Sequence, residues 1–206
     1  MPRFANVAVF CGARPGNDPA YAAAAKALGQ ELVARGTGLV YGGGSNGLMG
    51  SVSRAVAEAG GTVSGFIPAD LAPVELSGDA VGTTVVVADM HERKARMAGA
   101  ADAFIAMPGG FGTLEELFEM VTWLQLGYSN KPVGLLNVNG FWNHFLAFIE
   151  HAQGEGFIGR RLLVCEECPV KLLDALETFV TPLGFIQAAQ QAAACEAPAA
   201  AEEARV

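Results

Sequence analysis

The sequence predicts an α/β protein in which helices cover both faces of a doubly wound, mainly parallel sheet of about seven strands. Short runs rich in β-branched residues alternate with longer segments of helical periodicity. Several of the short runs are continuously apolar, as expected for strands buried on both faces. Glycine-rich loops follow two of these runs, and parallel α/β sheets bind ligands at such strand ends.

Each short apolar run is taken as a strand and each longer periodic segment as a helix. The predicted strands are Asn6–Cys11, Gly38–Tyr41, Thr62–Ile67, Thr83–Ala88, Ala103–Met107, Pro132–Leu136 and Leu162–Cys165. The predicted helices are Pro19–Arg35, Asn46–Ala59, Met90–Ala100, Leu114–Leu126, Phe141–Gly154 and Pro169–Thr181.

The chain length and the absence of linker or repeat predict one domain. Its 206 residues suffice for a full hydrophobic core, and 51% of them are apolar. We place this domain at residues 1–186. Residues 187–206 are rich in Ala and Glu and are expected to form a frayed helix or a disordered tail.

Charge and cysteine usage exclude several classes of protein. The net charge of −8 argues against binding to a nucleic-acid polymer, which needs a basic surface. No signal peptide and no membrane-spanning run is visible, so we expect a cytoplasmic protein. Cys165 and Cys168 have CxxC spacing without a second ligand pair, and Cys11 and Cys195 stand apart. All four are interpreted as reduced thiols, with no metal.

The first glycine loop, Tyr41-Gly42-Gly43-Gly44-Ser45-Asn46-Gly47, contains a GxGxxG match. This match is a weak indication of NAD, because the loop follows the second strand and no acid ends the next strand. Contact with a phosphate or ribose is the favoured interpretation. A tight turn that needs glycine for its backbone angles is the alternative.

The second glycine loop, Pro108-Gly109-Gly110-Phe111-Gly112-Thr113, joins a buried strand to a helix. Exposed amides and the helix dipole at such a junction favour a phosphate. Thr113 and Glu116 also have the spacing of a capping box. Glu116 lies off the apolar stripe that we expect to form the core face, namely Leu114, Leu117, Phe118, Val121 and Leu124. Spacing alone leaves a catalytic acid and a simple cap both open.

The third segment, Asp89–Met97, carries three cations within four positions. Asp89 and Glu92 have capping spacing, and Glu92 and Arg96 predict an i,i+4 ion pair. A solvated helix face would explain these charges. However, cations at the start of a helix oppose its dipole, and a bound anion would offset that cost. His91 is interpreted as a surface or interface residue.

Together these segments resemble the Lonely Guy family of cytokinin riboside 5′-monophosphate phosphoribohydrolases, which older labels call possible lysine decarboxylases. The resemblance runs from Phe10-Cys11-Gly12 to about Thr181 and depends most on PGGFGTLEE (108–116) and on the upstream pair Arg93-Lys94. It also includes Gly65-Phe66-Ile67-Pro68 and Thr122–Gly127. The decarboxylase label lacks support, because no strand-end lysine suggests a pyridoxal phosphate site.

The resemblance implies a Rossmann-like fold, a nucleoside monophosphate substrate and a homo-oligomer, commonly a homodimer. It implies that Arg93 and Glu116 are catalytic. The substrate contacts that it implies, or that the glycine loops suggest, are Gly43, Gly44, Glu75, Met90, Lys94, Gly109, Gly110, Gly112, Thr113 and Thr122. Ala13 departs from the family, where many members have serine, so no hydroxyl contact is expected from the first loop.

The reaction implied is hydrolysis of the N-glycosidic bond of an N6-substituted adenosine 5′-monophosphate, without metal or cofactor. A general AMP or purine nucleotide nucleosidase is one alternative. A carrier or sensor that binds a nucleotide or phosphorylated cofactor without cleaving it is the other. Met120 and Trp123 share the face of Glu116, and this face is expected to be exposed and to form a dimer interface.

Overall fold

The computed structural model describes residues 3–76 and 81–193 and contains the predicted α/β fold. Every predicted strand is present within one residue of its predicted bounds. The strands are β1 (Asn6–Phe10), β2 (Gly38–Tyr41), β3 (Val63–Pro68), β4 (Thr83–Val87), β5 (Ala103–Ala106), β6 (Val133–Leu136) and β7 (Leu163–Glu166). They form one sheet.

The order of the strands places a ligand site at the centre of the sheet. The order is β4-β3-β2-β1-β5-β6-β7, and every neighbouring pair is parallel. The chain moves outward from β1 to β4 and then returns to place β5 on the other side of β1. The carboxyl ends of β1 and β5 therefore form the switch point, where doubly wound sheets bind ligands.

The six predicted long helices are present, one short helix before β4 was not predicted, and the last helix lies at the start of the predicted C-terminal tail. The helices are α1 (Pro19–Ala34), α2 (Gly47–Glu58), α3 (Ala72–Glu75), α4 (Met90–Ala100), α5 (Phe111–Leu126), α6 (Asn143–Gly154), α7 (Pro169–Thr178) and α8 (185–193). A 3₁₀ turn, Val138–Gly140, precedes α6 and delays its start. Helix α7 ends before Thr181, because a residue that precedes a proline is disfavoured in the α conformation.

Two apolar layers cover the sheet. Helices α1, α2 and α7 bury Leu28, Val52 and Leu172 on one face. Helices α4 and α5 bury Met97 and Leu117 on the other, where α6 also packs. Successive residues of β1 point alternately into the two layers, so both faces of the central strand are dry.

The start of the predicted C-terminal tail is helical and attached to the domain. Gln187 of α8 accepts a hydrogen bond from the Gly184 amide (2.7 Å) and donates one to the Gly127 carbonyl (3.2 Å). Residues 194–206, including Cys195, lie outside the described residues. Within the described part of the chain, no helix combines the length and the hydropathy that crossing a bilayer requires.

Candidate active site

A cavity of about 500 Å³ opens at the carboxyl ends of β1 and β5. The loops that follow β1, β2 and β5 line it, together with residues of α3, α4 and the first turns of α5. Of the residues singled out from the sequence, Glu75, Met90, Arg93, Gly109, Gly110, Gly112, Thr113 and Glu116 line this cavity. They come from three separate segments of the chain.

Close backbone contacts hold the loops around the cavity together. The Gly12 amide donates to the Pro108 carbonyl (3.0 Å), and the Leu48 amide donates to the Gly12 carbonyl (3.0 Å). Gly47 has a φ of +56°, and a Cβ there would collide with the backbone of Ala13. Gly47 thus allows the start of α2 to pack against the loop after β1.

Helix α5 begins earlier than predicted, and this overturns the predicted capping box. Its first residue is Phe111 and its N-cap is Gly110, which has no side chain to bond the first amides. Thr113 therefore lies inside the helix and is buried, so it cannot be the N-cap. Gly110 supplies no side-chain oxygen, so the first amides of α5 have no capping partner from the N-cap residue. The uncapped end of the helix faces the cavity.

Glu116 is a buried carboxyl group in the wall of the cavity. Only 7% of the residue is exposed, and among the described residues no hydrogen-bond donor reaches its carboxylate. Burial raises its pKa to about 7, while the positive charge of Arg93 opposes this rise and the negative charges of Glu115 and Glu75 add to it. Near neutral pH this group can therefore take up or release a proton.

Arg93 lies beside Glu116 and is fixed by its own contacts. Its Nη2 donates to the Gly42 carbonyl (3.0 Å) and lies 4.0 Å from Glu75 Oε2. A Cβ at position 42 would overlap this guanidinium, so a glycine is needed there. The buried Nε of Arg93 and Oε2 of Glu75 have no hydrogen-bond partner among the described residues.

Lys94 occupies a different environment from its neighbour Arg93. It does not line the cavity, and its Nζ forms ion pairs with Glu115 and with Glu119 (3.0 Å). Gly43, Gly44 and Thr122 also lie off the cavity wall, and Thr122 is exposed on α5. The structure therefore does not bring these four residues to the site within a single chain.

The start of α4 has the contacts predicted from the sequence. The Asp89 side chain accepts from the Glu92 amide (2.9 Å), and the Glu92 carboxylate pairs with Arg96 (2.9 Å). Glu92 also accepts from the Ala88 amide (2.8 Å). These hydrogen bonds stabilise the first turn of α4, from which Arg93 extends toward the cavity.

The predicted buried stripe of α5 was partly wrong. Phe118 is 44% exposed, whereas Met120 is buried against the core that includes Leu117 and Leu124. Trp123 is half-buried and packs on the same core. Helix α5 carries two overlapping stripes of apolar residues, one with Phe118 and one with Met120. Packing against the neighbouring apolar layer fixes the rotation of the helix about its axis and buries Met120. The predicted exposed face of Met120 and Trp123 is therefore largely internal.

Several residues of the cavity were not predicted. Arg14, Tyr21, Leu48, Met49 and Phe141 line it. Tyr21 and Phe141 meet edge to face, with ring centroids 5.9 Å apart. Nothing in the spacing of Tyr21 and Phe141 marks them. Arg14 lies in the loop that follows β1. Doubly wound sheets bind ligands at the strand ends where the strand order reverses, so this loop would have been predicted as part of the site if the strand order had been known.

The cysteines of the described chain are free thiols, in agreement with the prediction. Cys165 and Cys168 are half-buried, and Cys11 is buried at the floor of the cavity. Burial raises the pKa of the Cys11 thiol far above its ordinary value. In the described ranges, no group of three or more His, Cys, Asp or Glu residues is placed to hold a metal ion.

Proteins of similar fold include a cofactor-binding protein. The molybdenum cofactor binding protein of Rippkaea orientalis has a TM-score of 0.62 and 25% identity, covering 84% of this chain and 97% of that protein. A structure titled TM1055 has a TM-score of 0.64 and the same identity, covering 84% and 99%. DNA processing protein A of Helicobacter pylori, with a TM-score of 0.52 and 14% identity, shares the fold alone.

Much closer relatives are found among plant proteins. Cytokinin riboside 5′-monophosphate phosphoribohydrolase LOG7 of Arabidopsis thaliana is 54% identical over 180 residues, which cover 86% of this chain and 83% of that protein. The rice (Oryza sativa) phosphoribohydrolase LOG is 54% identical over 181 residues, covering 86% and 75%. The family described as "Possible lysine decarboxylase" matches residues 49–176. By both comparisons, the chain belongs to this family, whose plant members are named cytokinin riboside 5′-monophosphate phosphoribohydrolases.

Proposed function

We propose that the protein is an N-glycosyl hydrolase that cleaves N6-substituted adenosine 5′-monophosphates into the free base and ribose 5-phosphate. The observation that carries this proposal is the buried Glu116 carboxyl, with a pKa near 7, beside Arg93 in a cavity at the switch point of the sheet. Phosphoribohydrolases that are 54% identical over most of this chain support the substrate class.

The reaction replaces the bond between C1′ of the ribose and N9 of the purine by a bond from C1′ to water. Glycosidic cleavage passes through an oxocarbenium-like state, with positive charge on the ribose ring. The ionised Glu116 stabilises this charge and accepts a proton from the attacking water. The electron pair of the broken bond goes to N9 of the purine, and the purine takes up the proton that Glu116 accepted from the water. A carboxyl with a pKa near the working pH suits this exchange.

Arg93 is placed to stabilise the departing purine. Its guanidinium is held by the Gly42 carbonyl, and its Nε is unpaired within the described chain. A fixed cation in a dry cleft stabilises developing negative charge without having to reorganise during the reaction. Arg93 also keeps the pKa of Glu116 from rising further, which keeps a useful fraction of the carboxyl ionised.

The uncapped start of α5 is the proposed site of the 5′-phosphate. Gly110, Gly112 and Thr113 line the cavity there, and no acidic side chain lies in the first turn. The N-terminus of a 16-residue helix presents free amides and a partial positive charge of about half a unit. Phosphate binding remote from the scissile bond positions that bond for attack.

We also propose that the protein forms a homodimer, as the family resemblance implies. Helix α5 exposes Phe118 and begins with the 92% exposed Phe111, beside the cavity. An interface over this helix would cover apolar side chains that are otherwise in water. Thr122, which is exposed on the same helix, would then lie near the partner subunit.

A panel of four compounds tests the proposed reaction by the release of the free base, and the two monophosphates should also release ribose 5-phosphate. Isopentenyl-AMP should be cleaved, and isopentenyladenosine without phosphate should have a kcat/KM at least about a hundredfold lower, roughly 2.7 kcal/mol in transition-state binding. Faster cleavage of plain AMP than of isopentenyl-AMP would identify a general nucleosidase instead. Adenosine serves as the control that lacks both groups.

The same panel separates the enzyme from a carrier. The fold neighbour titled as a molybdenum cofactor binding protein makes this comparison necessary. Tight binding of a nucleotide with no release of ribose 5-phosphate would identify a carrier. Equal kcat/KM values for the riboside and its monophosphate would refute the proposed phosphate site.

A further inference from the structure

The cavity contains a second cation with no assigned role, Arg14. Among the described residues that line the cavity, the lysines and arginines are Arg14 and Arg93. Arg14 is exposed, and its side chain forms no hydrogen bond or ion pair with another described residue. Arginine carries a full charge at every physiological pH and five donors in a fixed geometry. Such a group in the wall of a cavity is suited to an anionic ligand.

The other positive charges around the cavity do not balance the negative charge of a bound phosphate. A phosphate monoester carries between −1.5 and −2 charges, roughly, at neutral pH. Glu75 and Glu116 add negative charge to the wall, and Arg93 lies beside both of them. Lys94, the other cation expected at this site, is paired with Glu115 and Glu119 away from the cavity. The start of α5 supplies only about half a positive charge.

The backbone of Arg14 is held close to the start of α5. Gly12, two residues earlier, donates to the Pro108 carbonyl (3.0 Å). A Cβ on Gly12 would lie 3.5 Å from Gly109 Cα, which shows how closely the two loops approach. On the other side, Gly47 packs against the backbone of Ala13 and Arg14. The main chain at Arg14 is therefore fixed, while its side chain is free to lie over a ligand.

We infer that Arg14 binds the 5′-phosphate of the nucleotide, together with the amides at the start of α5. The inference depends on the proposed function and assigns the phosphate a specific partner. The guanidinium can form two parallel hydrogen bonds with phosphate oxygens, a geometry that lysine does not reproduce. Arg14 is a substrate-binding residue in this scheme, and it takes no part in breaking the glycosidic bond.

The test compares the Arg14→Gln variant with the wild type on isopentenyl-AMP and on isopentenyladenosine. We expect kcat/KM for the monophosphate to fall about tenfold to a hundredfold, the range expected for hydrogen bonds to a charged group. The value for the riboside should stay within about twofold, since it has no phosphate to lose. Arg14→Lys should recover only part of the loss, and the loss should shrink as salt is raised.

Arg160→Gln is the matched control, because Arg160 is also exposed and lies outside the cavity. It should leave both kcat/KM values unchanged. An equal loss on both substrates, or no loss on either, would overturn the assignment of Arg14.

Calorimetry keeps this test independent of turnover. AMP binding is measured with the Glu116→Gln variant, with and without Arg14→Gln. If Arg14→Gln weakens the binding of AMP and leaves the binding of adenosine unchanged, the inference is supported. This holds even if the wild type cleaves no nucleotide, because that result would refute only the proposed function. AMP affinity independent of Arg14 would refute the inference and leave the reaction standing.

Discussion

At the scale of single residues, the site depends on how deeply each charged group is buried. Glu116 and Glu115 are neighbours in the chain, yet Glu116 is buried in the cavity wall while Glu115 is exposed and paired with Lys94. Arg93 and Lys94 are both buried, but only Arg93 lines the cavity, whereas Lys94 is paired with Glu115 and Glu119. Burial, more than residue type, gives Glu116 its raised pKa and makes it suited to proton transfer.

The first prediction concerns the activity of Glu116→Gln. The amide has nearly the same shape but neither accepts a proton nor carries charge, so kcat should fall by about two to four orders of magnitude. In the wild type, kcat/KM should rise with pH through about 7, because the ionised carboxylate is the active form. Steady-state rates from pH 5 to 9 measure both effects. A folded variant with near wild-type turnover would show that Glu116 is not catalytic.

The second prediction concerns the stability of the same variant. The pKa of Glu116 is raised from 4.5 to about 7 on folding, so the folded state binds the proton more tightly than the unfolded state. The stability that this group contributes is full below about pH 4.5 and is lost as pH rises toward 7. At pH 8, Glu116→Gln should therefore be more stable than the wild type by roughly 1 to 3 kcal/mol.

Urea denaturation at pH 5 and pH 8 measures this difference. The advantage of the variant should be smaller at pH 5, where the wild-type carboxyl is mostly neutral in the folded state. An advantage that is the same at both values would mean that the pKa of Glu116 is not raised by folding.

At the scale of elements, the contact between the loop after β5 and the start of α5 sets the shape of the cavity. A Cβ on Gly109 would overlap the Thr113 hydroxyl and lie 3.0 Å from the Gly12 amide nitrogen. Thr113 is only 3% exposed and has no room to withdraw. The loop can follow this path because position 109 has no side chain.

The third prediction follows from this contact. Gly109→Ala should destabilise the protein by about 1 to 3 kcal/mol, the usual cost of overpacking, and should lower kcat/KM because the start of α5 must shift. Gly99→Ala in α4 is the control, because a Cβ there would meet nothing within 4 Å. It should stabilise the protein by about 0.5 to 1 kcal/mol without changing activity. Thermal melts and steady-state kinetics of both variants measure these effects. A Gly109→Ala variant with the stability and kcat/KM of the wild type would contradict the prediction.

At the scale of the whole molecule, the proposed homodimer requires an exposed surface on which a second copy can pack. The face of α5 predicted as the interface proved largely internal at Met120, so Trp123→Glu would disturb the core as well as any dimer. Phe118 is exposed on the same helix and touches Phe145 edge to face, with centroids 5.7 Å apart. It is the better position for a test.

The fourth prediction is that the wild type sediments as a dimer and that Phe118→Ser weakens its association at least about tenfold, through loss of buried aromatic surface. Phe157→Ser is the control, because Phe157 is 83% exposed and lies outside α5, in the segment that follows α6. Sedimentation equilibrium over a range of concentrations measures both constants. A fully active monomeric wild type would contradict the proposed dimer.

The sequence by itself determined the α/β class, the strands to within one residue and the glycine loops at strand ends. These features follow from local apolar periodicity and from the conformational freedom of glycine, which act over a few residues. The contacts at the start of α4 were predictable for the same reason, since Asp89, Glu92 and Arg96 lie within two turns of each other.

Only the tertiary structure decided which charged residues form the site. The return of the chain from β4 to β5 puts the loop of Arg14 beside the start of α5, and no local pattern specifies that crossing. The rotation of α5 buries Glu116 and Met120 and leaves Phe118 in water, because packing against the neighbouring layer chooses between two apolar stripes. The pKa of Glu116 depends on desolvation, which exists only once distant segments enclose the carboxyl group.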